Sequence, residues 1–241
     1  MQKELLELKK QLNAILSSDA TLKKALREVN KMDMIKASMI VRNPKHQEVL
    51  VDRILDGELI RDISIGDYIF VRNYAELVKA AYNNLEMGNS MDRNMLISAY
   101  RILSENPQGG LRDDNPVVYS INHVPPHSAD VDERLSKALR RVYSKDMPDD
   151  VVARAMYMHN SIIDVWPFDE YSGEIAIFAL NYFLMEQGLM PIDMPMNRQD
   201  YCDLTAACLK GRRSDEEYEF FRVAITEKMA GTIDVCKGYV R

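Results

Sequence analysis

The residues whose types and spacing bear on chemistry lie in one short stretch, Val165-Trp166-Pro167-Phe168-Asp169-Glu170-Tyr171-Ser172-Gly173-Glu174. Pro167 cannot occupy a helix interior and Ser172 is a good N-cap type, so the stretch reads as a loop that opens a new helix at Gly173. A helix start offers free backbone N–H groups and the positive end of the macrodipole, both of which favour an anion such as phosphate. Glu174 already brings negative charge to that end, so an anion site and a self-satisfied helix start both stay open. Asp169, Glu170 and Glu174 together read either as hard-oxygen ligands for a divalent cation or as solvated, helix-stabilising carboxylates. His159, two turns before Trp166, reads as a packed histidine. His123 and His127 have a zinc-compatible spacing only within a helix, which Pro125-Pro126 forbids.

The elements that must position this loop are helical. Leu, Met, Ala, Lys and Glu are abundant beside 10 glycines and 9 prolines, so local propensity predicts a mainly α fold. Leu5, Leu8, Leu12 and Ile15 form one apolar stripe that breaks near Ser17-Ser18-Asp19. A short second helix with Leu22, Ala25, Leu26 and Val29 completes a hairpin packed on the main domain. After Pro44, the positions Val49, Leu50, Ile54 and Leu55 predict a helix to about Asp56. Phe70, Tyr74, Leu77, Val78, Ala81 and Leu85 predict a longer one that stops at Gly88, and Met95, Ala99, Ile102 and Leu103 another. The run Val117-Val118-Tyr119-Ser120-Ile121 is the one expected β-element, in a proline-rich stretch from 106 to 128. Helices follow near 131–144, 150–165 and 173–187, the last with Ile175, Phe178, Ala179 and Tyr182 on one face.

Composition narrows the function classes. Lys and Arg number 31 against 37 Asp and Glu, a net charge of −6, which argues against a basic nucleic-acid-binding module. No stretch approaches the roughly 18 apolar residues of a membrane helix, and the Met1-Gln-Lys-Glu start lacks the apolar core of a signal peptide. The expectation is a cytoplasmic protein with no membrane association. Cys202, Cys208 and Cys236 form no CxxC pair and read as reduced thiols.

The loop resembles the signature of the Fic family, His-x-Phe-x-(Asp/Glu)-Gly-Asn-Gly-(Arg/Lys)-x-x-Arg, which Phe168, Glu170 and Gly173 match. The flanks are similar too. Gly110-Leu-Arg112, Val118-Tyr-Ser-Ile121 and Pro125-Pro126 precede two helices, and Leu189-Met-Pro191-Ile192, Arg198-x-x-Tyr201, Lys210-Gly211-Arg212 and Glu217-Tyr218-Glu-Phe220-Phe221 follow. The resemblance implies a Fic-like helical domain over residues 75–230 with a short β-hairpin flap, an N-terminal helical extension over 1–74, and a C-terminal tail over 231–241. It also implies an activity: transfer of a phosphate-containing group, most often AMP from ATP, to a protein hydroxyl, with Mg bridging the phosphates.

The departures from that signature set the functional expectation. Trp166 stands where the family has its catalytic histidine, and an indole has one N–H donor and no basic lone pair to accept a proton. Tyr171 and Ser172 put side chains where backbone N–H groups would wrap phosphate. Glu174 and Ile177 replace both arginines, one a charge reversal and the other apolar. Trp166 and Phe168 read as an aromatic plug, and Glu170 keeps the position of the family's Mg-binding carboxylate. No cofactor is otherwise expected. Many family members obstruct the nucleotide with a (Ser/Thr)-x-x-x-Glu-(Gly/Asn) helix, whose equivalent is read here at Glu86, with Tyr82 in the Ser/Thr place. The flap run Val118, Tyr119, Ser120 and Ile121 implies either a strand edge that registers a protein partner or a cover over the cavity. The leading expectation is a binding or regulatory module without AMP transfer; the alternative is an enzyme transferring AMP or another phosphate-containing group through Glu170 and a divalent cation.

Overall fold

The computed structural model describes residues 2–42, 47–61 and 63–239; Pro44 lies outside them, as do the side chains of Val49 and Leu50. The helices run α1 (Gln2–Ser18), α2 (Ala20–Arg42), α3 (Gln47–Leu55), α4 (Ile65–Glu86), α5 (Arg93–Ser104), α6 (Val131–Val142), α7 (Val151–Val165), α8 (Ser172–Glu186), α9 (Arg198–Leu209) and α10 (Ser214–Tyr239). The mainly α expectation therefore holds. No helix among the described residues is long and apolar enough to cross a membrane.

The architecture is a bundle around α8. Every residue from Ser172 to Leu184 is buried, and α8 packs against α7, α2, α5 and α4. A helix apolar around most of its circumference has to be enclosed on all sides, and neighbours on every side supply that enclosure. Asn181, the polar exception, is fully buried and clamps the chain that leaves α8. Its Nδ2 donates to the Ile192 carbonyl at 3.0 Å and its Oδ1 accepts from the Ile192 N–H at 2.9 Å.

Three elements depart from the sequence reading. The second helix is not short: α2 continues to Arg42, and Met34, Ile35, Ala37, Met39 and Ile40 carry its second half into the core beside α8. Asn30, Asp33 and Ser38 hide that apolar face in the sequence. Their partners come from other elements or the local backbone: Asn30 donates to Tyr82 Oη, Lys228 pairs with Asp33 at 2.7 Å, and Ser38 donates to the Ile35 carbonyl. The expected boundaries after residues 74 and 230 fall within the continuous helices α4 and α10.

The flap is the second departure. Val118 and His123 form one isolated antiparallel bridge, and Tyr119–Ile121 between them is a 3₁₀ turn closed by Asn122 in the left-handed region. Both bridging bonds join the same two residues, Val118 N–H to His123 O at 2.9 Å and His123 N–H to Val118 O at 3.2 Å. Val118 and Ile121 are the buried pair, a spacing of three that suits a turn and breaks strand alternation. The third departure concerns Ser172, which begins α8 and does not cap it: its hydroxyl accepts from the Phe168 N–H at 2.9 Å and donates to the Phe168 carbonyl at 3.0 Å.

Candidate functional site

The bend between α7 and α8 is built from two left-handed residues, Trp166 (φ 46°) and Tyr171 (φ 63°), on either side of Pro167 and Phe168. Neither position is a glycine, so the surroundings must hold the conformation. Arg112 does much of this. Its buried guanidinium donates to the carbonyls of Trp166 at 2.7 Å, Pro126 at 2.6 Å, Val165 at 3.3 Å and Asp114, while its own N–H reaches the Pro167 carbonyl at 2.9 Å. A cation on the last carbonyls of α7 satisfies acceptors that the helix leaves open and complements its negative end. Phe168 is fully buried and stacks on Tyr100, with ring centroids 4.6 Å apart and planes at 11°. It is core packing, whereas Trp166 is half-buried at the end of α7.

The aromatic cover of the α8 start comes from another residue. Tyr171 stacks parallel to Phe70 of α4, with centroids 6.0 Å apart, and Arg42 at the end of α2 lies over both rings, 4.5 Å from Phe70 and 5.3 Å from Tyr171. The same guanidinium donates from Nε to Asp67 at 3.2 Å and brings Nη1 within 3.7 Å of the Glu174 carboxylate. Glu174 is buried, and that burial pushes its pKa up against the opposing pull of its own backbone N–H and of Arg42. At the positive end of α8, then, a carboxylate of the chain itself takes the place an external anion would take.

The other expected positions divide clearly. Gly173 is buried against α2, and a Cβ there would fall 2.9 Å from Val41 Cγ1, so a side chain would force Val41 to shift. Ile177 is fully buried. Glu170 and Asp169 are exposed on the loop, whereas Glu174 is buried beside Arg42, with Glu170 near enough to add to the rise of its pKa. Among the described residues, no group of three or more His, Cys, Asp or Glu side chains is arranged to hold a metal ion. Glu86 sits at the end of α4 and pairs with Arg27 of α2 at 2.5 Å. Tyr119, at the tip of the flap turn, is exposed together with Val117 and Val124.

His159 is fully enclosed, bonded to Tyr201 Oη at 2.8 Å and to Asn160, and burial lowers its pKa to about 4, so it is neutral at ordinary pH. His123 meets the Asp164 carbonyl at 2.8 Å. Sequence reasoning missed Arg42. The helix that carries it was expected to end a dozen residues earlier.

The Fic/DOC family model matches residues 90–184, which run from just before α5 through the loop and most of α8. The chain contains a Fic domain. Solved structures of Fic proteins share its fold at low identity. A Fic domain containing signaling protein from Bacteroides thetaiotaomicron superposes with a TM-score of 0.77 at 12% identity, over 98% of this chain and 97% of that one. A Fic family protein from Desulfovibrio desulfuricans gives 0.70 at 16% identity, covering 96% and 74%. Fic-1 from C. elegans gives 0.69 at 17% identity, covering 99% and 72%. No curated protein matches the chain.

Two tests follow from this Fic site. If Gly173 is held by packing against α2, Gly173→Ala costs about 1–3 kcal/mol in urea unfolding. Val41→Ala in the same chain then recovers at least half of that loss; strict additivity of the two changes would refute the packing role. Burial raises the pKa of Glu174, so below the ordinary carboxylate range both folded and unfolded forms are protonated and its contribution to stability is whole. That contribution is lost as pH rises through the folded pKa, because the unfolded chain has already released its proton. Wild-type stability is therefore expected to fall relative to Glu174→Gln as pH rises from the ordinary glutamate range towards neutrality. A difference between the two proteins that stays constant over that interval would contradict it.

Proposed function

We propose that this Fic domain does not transfer AMP and works as a binding or regulatory module. The observation that carries the reading is the Arg42–Glu174 pair at the start of α8. The family holds a triphosphate there with arginines, whereas this chain sets a buried carboxylate under a guanidinium and a stacked tyrosine. An incoming phosphate would meet like charge in a poorly solvated place and would have to displace an aromatic ring held against Phe70. Trp166 adds the second deficit, since its indole cannot take the proton of an attacking hydroxyl.

The pair also supports a specific view of α2. Ser38-Met39-Ile40-Val41-Arg42-Asn43 follows the spacing of the family's obstructing pattern with arginine in the glutamate's place, and Arg42 meets a loop whose own charge is reversed as well. In this view the obstructing contact is kept with opposite polarity, through Arg42 and not Glu86, and it is permanent. Binding of a protein partner would then fall to the flap turn. The backbone groups of Val118 are engaged with His123, so the contact would be made by the exposed side chains of Tyr119 and Val124 and not by an added strand.

The expected outcome in calorimetry is no Mg-ATP binding at sub-millimolar concentration, and in a labelled-AMP assay no transfer by the wild type or by Trp166→His. Micromolar affinity would need roughly −8 kcal/mol and would refute the blocked site. Transfer by Trp166→His alone would show that the phosphate cradle works and that only the base had been lost.

A further inference from the structure

The flap turn has an outward face that the fold leaves uncovered. Val118 and His123 exchange both backbone hydrogen bonds, so antiparallel register sets Val117 opposite Val124, on the face away from the buried Val118. Their exposures, 45% and 72%, agree with that register, and Tyr119 at the tip of the turn is 87% exposed. Single exposed apolar residues are ordinary, but these stand together on one turn and form a patch of the kind that marks contact with another molecule.

Carboxylates gather around this face. Arg112 sets the frame: its guanidinium donates to the carbonyls of Asp114 and Pro126, which brings the segment leading into the flap beside the segment leaving it. Asn115 tightens the same junction by accepting from the Ser128 N–H at 2.8 Å. His123 meets the Asp164 carbonyl at 2.8 Å and the Asp164 carboxylate at 3.7 Å, so that half-exposed acid stands at the base of the flap. On the motif loop, burial and then the charges of Asp114 and Asp113 raise the pKa of Asp169, and Glu170 adds to the rise. Arg112 opposes them, but it is buried and its N–H groups are engaged by carbonyls. Asp113, Asp114, Asp169 and Glu170 are all exposed. Like charges brought this close repel one another and gain the fold nothing, whereas an oppositely charged partner turns the same field into attraction.

We propose that the flap docks a positively charged segment of another protein, whose apolar side chain rests on Val117, Tyr119 and Val124 and whose Lys or Arg residues face Asp113, Asp114, Asp164, Asp169 and Glu170. The apolar face is the contact, and the carboxylates select the charge of what meets it. An anionic lipid surface or a nucleic acid would be repelled by the same carboxylates. The inference rests on the reading of the flap as a protein-binding element, and it names the partner's chemistry.

The probes are three acetylated heptapeptide amides: Lys-Phe-Lys-Gly-Lys-Phe-Lys, a second with glutamate at every lysine position, and a third with glycine at both phenylalanine positions. Amide NMR titration of the full chain at physiological ionic strength is expected to give saturable binding of the first, about tenfold tighter than either of the others, because like charge and a lost apolar contact are each penalised. The shifts should centre on residues 113–124 and 164–170. Tyr119→Ser with Val124→Ser, both at exposed positions, should weaken the first peptide about tenfold. Asp113→Asn with Asp114→Asn should weaken it and flatten its salt dependence. The inference is overturned if either altered peptide binds the flap as tightly as the first, if the first binds elsewhere on the chain, or if none binds saturably at millimolar concentration. Tight binding of the glutamate peptide at the flap would leave a protein-binding flap and remove its charge preference. AMP transfer in the labelled-AMP assay would overturn the function proposed above without altering the peptide result. The comparison of peptides on the unaltered protein decides even if a variant does not fold.

Discussion

A helix enclosed on every side cannot turn its N-terminal end to water, and α8 is such a helix from Ser172 to Leu184. Its first N–H groups and its positive dipole end must be answered from within the protein. Glu174 provides the answer. A buried carboxylate is itself costly, so it draws in Arg42, and Arg42 is in turn held by Asp67, Phe70 and Tyr171. The chain of consequences joins α2, α4 and α8 at one point. It also explains why α2 must run unbroken to Arg42: a shorter helix would leave Glu174 without its cation.

The same reasoning separates what the fold keeps from what the chemistry of the family needs. Of the three residues that match the Fic signature, Phe168 is held by its stack on Tyr100 and Gly173 by its closeness to Val41. Both take part in packing. Glu170 alone has no structural task in view, and it is exposed. Arg112 fixes the backbone of the bend through four carbonyls and needs no ligand to do so. Packing at Phe168 and Gly173 and the hydrogen bonds of Arg112 thus set the geometry of this loop.

Much of this was legible in the sequence. The helices from α4 to α8 follow from apolar spacing together with Gly88, Pro167 and Gly188, because their buried faces are continuous and their ends are marked by residues with strong backbone preferences. The second half of α2 was not legible, since Asn30, Asp33 and Ser38 interrupt its apolar face and their partners lie mostly on distant elements. The flap is shorter than expected for a related reason: Val117–Ile121 has strand composition, but among the described residues its pairing is the single Val118–His123 bridge. Propensity proposed a strand and the lack of a partner decided against it. In the loop, the departures of Trp166, Glu174 and Ile177 from the signature could be read directly, whereas the approach of Arg42 to Glu174 required knowledge of which helix reaches the loop.

The central claim is that Arg42 and Glu174 form one unit that fills the phosphate end of α8. A double-mutant cycle with Arg42→Ala and Glu174→Gln, read by urea unfolding at neutral pH, tests it most directly. Arg42→Ala alone should be costly, about 3–5 kcal/mol, because it leaves a buried carboxylate without a partner. In the Glu174→Gln background the same change should cost far less, giving a coupling of about 1–3 kcal/mol. A coupling indistinguishable from zero would mean that the two residues act independently and that Glu174 does not rely on Arg42 to occupy the site.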